Sequence, residues 1–297
     1  MAGIPSPIYL DDEQLDLFYA TARKSGIEPI RRKRRLIAFG WYGGKYSHLD
    51  WLLPLLPTCH HYCEPFGGSA AVLLNRSPSA VETYNDMDGE VATFFRVLRE
   101  EGDRLVRAIG LTPFSREEFF IACSTNGHKI PEFERARRFF IRARQVRTGL
   151  AQTASIGRWA NCKDTSRGGM SGVVSRWLGS VNTLPEIVER FLRVQIENRP
   201  ATEVIRLYDG EGTLFYCDPP YPHASRADDK AYGNEMTDEE HRRLASVLGG
   251  VKGKVAISGY RCDVMDTLYK TFKRLDAAAK MCHSVKKLRK EALWVNY

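Results

Sequence analysis

Residues 214–217, Leu-Phe-Tyr-Cys, are apolar at every position and run directly into Asp218, Pro219, Pro220 and Tyr221. A strand apolar on both faces must be covered on both, the pattern of an interior strand in a parallel sheet with a layer on each side. Whatever follows such a strand lies at the carboxyl edge of the sheet, where open α/β folds bind ligands. Asp218 and Pro219 each precede a proline, which biases both to extended backbone, and each proline ring fixes its own φ. The result is a stiff peptide with one carboxylate and outward carbonyls as fixed acceptors, beside which Tyr221 can present a flat face. That set suits a planar substrate bearing an amino group. A capping aspartate in a proline-rich turn explains the acid and the prolines separately, but not all four residues together.

The rest of the chain agrees with an α/β fold. From residue 36, short apolar runs alternate with helical patterns: "RLIAFG" with "HLDWLLPLLP", "CHHYCEPF" with "GSAAVLLNR", and "AVETYN" with "DGEVATFFRVLREEGDRL". "LFYC", "KVAISGY" and "ALWVNY" are further strand candidates. Strand, loop and helix in repetition predict a largely parallel sheet. Residues 112–195 break the rhythm: they are rich in arginine and helix formers, with a Gly/Ser-rich stretch at "CKDTSRGGMSG". They read as an insertion, with the sheet domain assembled from 36–111 and 196–297 and an extension over 1–35. Within the extension, 11–24 has helical spacing with acids in its first turn.

Charge is distributed unevenly. The net charge is +8, and residues 111–195 hold 14 Lys and Arg against 7 Asp and Glu. A second basic run, "RRKRR", occupies 31–35. Clustered arginine is the footprint of a polyanionic partner, because each neutralised phosphate releases counterions. No stretch approaches the ~18 apolar residues of a membrane span, and the N-terminus lacks the order of a secretory signal. The chain reads as soluble and cytoplasmic. Its seven cysteines show no C-x-x-C pair and read as reduced thiols. "CHHYC" at 59–63 has no second ligand pair at zinc-finger spacing, so packing is expected there and no metal.

Two further stretches carry chemistry. In "YCEPFGGSAAVLLNR" a strand ends at Glu64, Pro65 turns the chain, and Gly67 and Gly68 permit close backbone approach before a helix near Ser69. It is neither a full G-x-G-x-x-G nor a Walker sequence. Asp86 follows Gly67 by 19 residues, near the distance at which an acid holds ribose hydroxyls, and it can also cap the next helix. In "FGWYGGKYSHL" two glycines form a tight turn able to bring Trp41 and Lys45 to one side.

The order W-x-G-G-K, E-P-F-x-G, N-D-x-D, a basic insertion and D-P-P-Y resembles the Dam-like, alpha-group DNA adenine N6-methyltransferases over residues 36–297. D-P-P-Y alone is shared with cytosine-N4 methyltransferases, so cytosine-N4 transfer and a catalytically silent DNA-binding relative stand as alternatives. The resemblance implies a Rossmann-like S-adenosylmethionine-dependent fold in which 112–195 recognises the target. It implies that Trp41 and Lys45 line the S-adenosylmethionine site, with Lys45 toward the methionine carboxylate. Glu64, Pro65, Phe66 and Gly67 would form the loop around that cofactor, Asp86 would hold its ribose, and Asp218 would lie between cofactor and target. Asp218 and the Pro219 carbonyl would accept the two N6 hydrogens, and Tyr221 would stack on an adenine flipped from the duplex. It implies double-stranded DNA as partner, allows a cognate restriction nuclease, suggests a bacterial or phage-encoded enzyme near the nucleoid, and calls for no metal.

There are departures from the family pattern. An acidic element often precedes the catalytic strand, whereas this chain reads "IENRPATEVI", with Arg199 and Pro200 at that place. The first 30 residues also exceed the usual start. On the insertion, Arg135, Arg138 and Arg142 recur at spacings of three and four and so share one helix face; with Arg144 they are candidates to grip phosphates, while Phe139 and Phe140 read as core. Residues 222–241, polar up to Thr237, read as a lid, and His223 within them as a loop histidine.

Overall fold

The computed structural model describes residues 35–124, 130–222, 235–278, 280–282 and 287–297. The helix expected at 11–24, "RRKRR" apart from Arg35, His223 and most of the proposed lid lie outside the described residues.

The main sheet has seven strands: β1 (His61–Glu64), β2 (Val81–Asn85), β3 (Gln195–Glu197), β4 (Thr213–Cys217), β5 (Lys254–Tyr260), β6 (Lys273–Asp276) and β7 (Glu291–Val295). Their spatial order is β3-β2-β1-β4-β5-β7-β6. The first five are parallel, His61 lying opposite Val81 on one side and Thr213 on the other. β7 inserts antiparallel between β5 and β6. The order reverses between β1 and β4, the switch point at which such sheets open a crevice.

Side-chain alternation divides the core into two. Tyr62, Tyr84, Leu214, Tyr216, Ala256, Leu293 and Val295 enter one buried cluster. Their strand neighbours Cys63, Phe215, Cys217, Val255, Ile257, Ala292 and Trp294 enter the other. All five residues of β4 are buried, as an interior strand requires. The helices α1 (Leu49–Leu52), α2 (Ala71–Asn75), α3 (Gly89–Glu100), α4 (Gly102–Gly110), α5 (Arg116–Cys123), α6 (Glu132–Gln145), α7 (Gly172–Val181) and α8 (Leu184–Phe191) precede β3 in the chain. α9 (Ala201–Leu207), α10 (Asp238–Gly249) and α11 (Asp263–Leu268) follow it. The α3 start is capped by Asp88, which accepts from the Glu90 N–H at 2.9 Å. The α10 start is a capping box between Thr237 and Glu240.

Segment 112–195 is continuous with the first core. Phe139, Phe140, Trp177 and Phe191 join Phe39, Phe94 and Phe95 in the same cluster. Phe95 stacks on Phe191 at 4.3 Å and Phe94 on Phe140 at 5.7 Å, pairs worth about 0.5–1.5 kcal/mol each beyond their burial. "CKDTSRGGMSG" is more ordered than its composition suggests. It forms a hairpin, Ser166–Arg167 against Met170–Ser171, whose two-residue turn places Gly168 and Gly169 at φ +57° and +75°, a conformation glycine adopts without strain.

The structure differs from expectation at three strands. "RLIAFG" is not one: Asn75 brackets the Leu36 backbone, donating to its carbonyl and accepting from its N–H at 2.8 Å each. Arg144 donates to the Ile37 and Ala38 carbonyls at 2.9 and 3.0 Å, so side chains stand where a neighbouring strand would. β3 and β6 were unmarked in the sequence because short, polar edge strands carry little apolar period.

Glu82 on β2 ties the end of segment 112–195 to the sheet. Almost fully buried, it accepts from Arg76 at 3.1 Å, from the Ser79 N–H at 3.1 Å and from Arg190 of α8 at 2.7 Å. Arg190 also donates to the Leu73 carbonyl at 2.8 Å. Removing one partner of a buried ion network leaves the others uncompensated. Glu82→Ala is therefore expected to lower unfolding free energy by about 3–5 kcal/mol, measured by denaturant titration.

Candidate active site

At the carboxyl ends of β1, β2 and β4 a cavity of about 440 Å³ opens. Its floor is the loop after β1. Gly67 donates to the Asn85 carbonyl at 2.8 Å, and a β-carbon there would stand 2.1 Å from the Tyr84 ring, so the loop lies flat on β2 only as glycine. Gly68 has φ +50° and backs onto the Trp41 indole. The Pro65 carbonyl is held by Asn85 at 2.8 Å. Across the mouth, the Gly44 N–H closes a turn on the Trp41 carbonyl at 3.1 Å, which brings Trp41 and Lys45 to the same cavity.

The lining is acidic although the chain is basic. Glu64, Asp86, Asp88, Asp218, Glu235 and Glu240 face Lys45 as the sole cation among the described lining residues. Asp86 accepts from the Gly68 and Asp88 N–H groups, both at 2.8 Å. Burial pushes its carboxyl up to about 6 against those two donors. Burial pushes Glu64 further, to about 8, despite the Tyr62 hydroxyl that donates to it at 2.6 Å.

Asp218 continues the alternation of Leu214 and Tyr216 and shares their face. The Lys45 ammonium spans its carboxylate, 2.7 Å from Oδ1 and 2.8 Å from Oδ2, and Ser258 of β5 donates to Oδ1 at 2.9 Å. Lys45 also donates to the Gly43 carbonyl at 2.6 Å and lies 3.5 Å from Glu291 on β7. Tyr221 turns back into the protein. Its hydroxyl donates to Glu291, Lys45 stands 5.0 Å from its ring centre, and Tyr260 meets it edge-on at 4.9 Å.

Trp41, Lys45, Glu64, Phe66, Gly67, Asp86, Asp218 and Pro220 all line the one cavity. Pro219, between Asp218 and Pro220, is buried. Lys45 lines the cavity and faces Asp218 and Glu291, two carboxylates and the Gly43 carbonyl converging on it. Tyr221 is 2% exposed, its hydroxyl turned to Glu291. Ser258 and Glu291 were absent from the sequence reading; Glu291 is the charged residue in an otherwise apolar strand, and that was the available signal.

The arginines named on α6 are engaged inside the fold. Arg135 and Arg142 both reach Glu90 of α3, at 2.6 and 2.9 Å. Arg138 pairs with Glu134 one turn earlier at 2.8 Å, and Arg144 holds the 37–38 backbone. The expected phosphate grip does not fit them, because acids and carbonyls of neighbouring elements already take their donors. Exposed basic side chains follow instead at Arg147, Arg158, Lys163 and Arg167, where no ion pair is made among the described residues and Asp164 is the one acid of 146–171. Gln152 of that segment lines the cavity. At the departure from the family pattern, Asn198 donates to the Asp86 carbonyl at 2.6 Å while Arg199 pairs with Glu197 at 3.1 Å.

Among the described residues no group of His, Cys, Asp and Glu is placed to hold a metal ion, and no helix is long and apolar enough to cross a membrane. The sequence model of the D12 class N6 adenine-specific DNA methyltransferases matches residues 41–282, from the Trp41 turn past the D-P-P-Y wall. The chain belongs to that family and is an adenine-specific DNA methyltransferase. A comparison with curated proteins finds no match.

Proposed function

We propose that the chain transfers a methyl group from S-adenosylmethionine to the N6 amine of adenine within a specific double-stranded DNA sequence, the base being turned out of the duplex to reach Asp218. The observation that carries this reading is the Asp218 carboxylate, fixed by Lys45, Ser258 and two prolines on the wall of an acidic cavity. The residues present fit the donor: acids suit its ammonium and sulfonium charges, and each Asp86 oxygen keeps a lone pair for a hydroxyl beyond its backbone donor. Asp86 and Trp41 would hold the nucleoside, and the acids around Asp218 its cationic end. When bound, this donor would supply a methyl on sulfonium: the amine nitrogen would attack that carbon in line, the carbon–sulfur pair leaving with the neutral thioether, and one N6 proton would pass to Asp218 or solvent.

The protein's part is positioning and electrostatics. Asp218 and the Pro219 carbonyl accept the amine hydrogens, which turns the nitrogen lone pair out of conjugation with the ring and toward the methyl. An amine paired and stacked inside a duplex cannot enter a walled cavity, so extrusion of the base is part of the reading. Arg147, Arg158, Lys163 and Arg167 take the phosphate-gripping role first assigned to the α6 arginines, beside the mouth that Gln152 lines.

Four outcomes test these assignments. Asp218→Ala should reduce transfer by about 10²- to 10³-fold, as for loss of one transition-state hydrogen-bond partner, with DNA binding retained. Digestion of reacted DNA to nucleosides and mass spectrometry should show N6-methyladenosine from the wild type; N4-methylcytosine or no product overturns the reading. Because the Asp86 carboxyl titrates near 6, it is neutral below that pH and anionic above it. Affinity for the cationic donor should therefore rise between pH 5 and 7, and Asp86→Asn should flatten that dependence, as read by calorimetry. Replacing Arg158 and Lys163 together by alanine should reduce the slope of log affinity against log salt by about 2, near 0.9 for each phosphate no longer neutralised. An unchanged slope would remove the segment from the DNA surface.

A further inference from the structure

Glu291 is the acid of the site that does not line the cavity. It opens β7 opposite Tyr260, and alternation with Leu293 and Val295 turns it to the face that Asp218 and Ser258 share. It is 4% exposed. The groups around it are Lys45 from the turn after Trp41, Asp218 and Tyr221 from the end of β4, and Ser258 and Tyr260 from β5. Burial pushes its carboxyl up, and the Lys45 ammonium opposes that most strongly. A carboxylate so deep is costly unless it is paired and hydrogen-bonded, and Tyr221 and Lys45 supply those partners. It also lies beyond residues 41–282, over which the family model matches.

Lys45 thus stands between two carboxylates, in contact with Asp218 at 2.7 Å and 3.5 Å from Glu291. As long as the ammonium bridges both Asp218 oxygens, that carboxylate is a weakened acceptor for a neutral amine. Moving the ammonium by about 0.7 Å would bring it to the ~2.8 Å of a charge-assisted bond with Glu291. After the exchange Asp218 keeps the Ser258 hydroxyl and gains the amine as donors, and Glu291 keeps the Tyr221 hydroxyl and gains the ammonium.

We propose that Glu291 is a positioning residue that draws Lys45 away from Asp218 as the target amine docks, so that Asp218 meets the amine with its acceptor capacity restored. Glu291 acts through Lys45 and does not touch substrate. Its anchor is the Tyr221 hydroxyl, which gives the tyrosine of D-P-P-Y a function on the protein side of the wall. The proposal rests on the reading that Asp218 accepts the amine hydrogens.

The test is single-turnover transfer by the full chain to unmethylated genomic DNA at saturating S-adenosylmethionine, read as N6-methyladenosine. Glu291→Gln keeps the shape and the tyrosine contact but removes the charge. It should slow transfer about 10- to 100-fold, with donor and DNA dissociation constants within about threefold of wild type. Glu291→Asp keeps the charge one methylene further from Lys45 and should fall between the two; it serves should the carboxamide variant not fold. In a Lys45→Met background there is no ammonium to move, so Glu291→Gln should cost less than about threefold further. Unchanged rates in both Glu291 variants, equal losses in both backgrounds, or a rate loss matched by weaker donor binding would each overturn the proposal while leaving adenine transfer intact. A wild-type chain that modifies no adenine would instead overturn the reading beneath it.

Discussion

Strand alternation and one buried cation together decide what the carboxyl edge of this sheet can do. Glu64, Asp218, Ser258 and Glu291 arise from four strands, and each falls on the same face because it stands an even number of residues from a core side chain of that face. Such convergence of acids would be untenable in a dry interior without compensation. Lys45 supplies it, reaching from a turn fixed by Gly43 and Gly44 to within 3.5 Å of two of those carboxylates. The stiffness of Pro219 and Pro220 then matters twice: it holds Asp218 toward the cavity and directs Tyr221 back toward Glu291.

Charge of opposite sign is kept apart by the same architecture. The acidic side chains of the cavity sit at strand ends and at the starts of α3 and α10, where helix N-termini tolerate them. Eighteen of the 44 basic residues lie between β2 and β3. Many of them are internal braces: Glu82 and Glu90 each collect two or more arginines. The exposed stretch after α6 keeps Arg147, Arg158, Lys163 and Arg167, which make no ion pair among the described residues.

The parts of the site legible in the sequence are those encoded by neighbouring residues. An apolar run ending in Asp-Pro-Pro, paired glycines after a strand and an acid at the end of the next strand each carry their geometry locally, and all reached one cavity. What sequence spacing does not encode is who meets whom across elements. Arg135 and Arg142 are on one helix face as expected, but Glu90 lies 45 and 52 residues away and takes both. Tyr221 reads as an exposed aromatic until Glu291, 70 residues on, turns it inward. The edge strands β3 and β6 escaped notice because their pairing, and not their composition, makes them strands.

The position of β7 bears on the order in which this enzyme is assembled. β7 lies between β5 and β6, yet both precede it in the chain. β6 therefore has no partner in this sheet until β7, the last of its strands in the chain, has entered. Until that moment Tyr221 and Lys45 lack Glu291, and one flank of the Asp218 wall is open to water. A chain emerging from the ribosome would complete its parallel core first and its chemistry last, so that competence to modify DNA follows the finished fold.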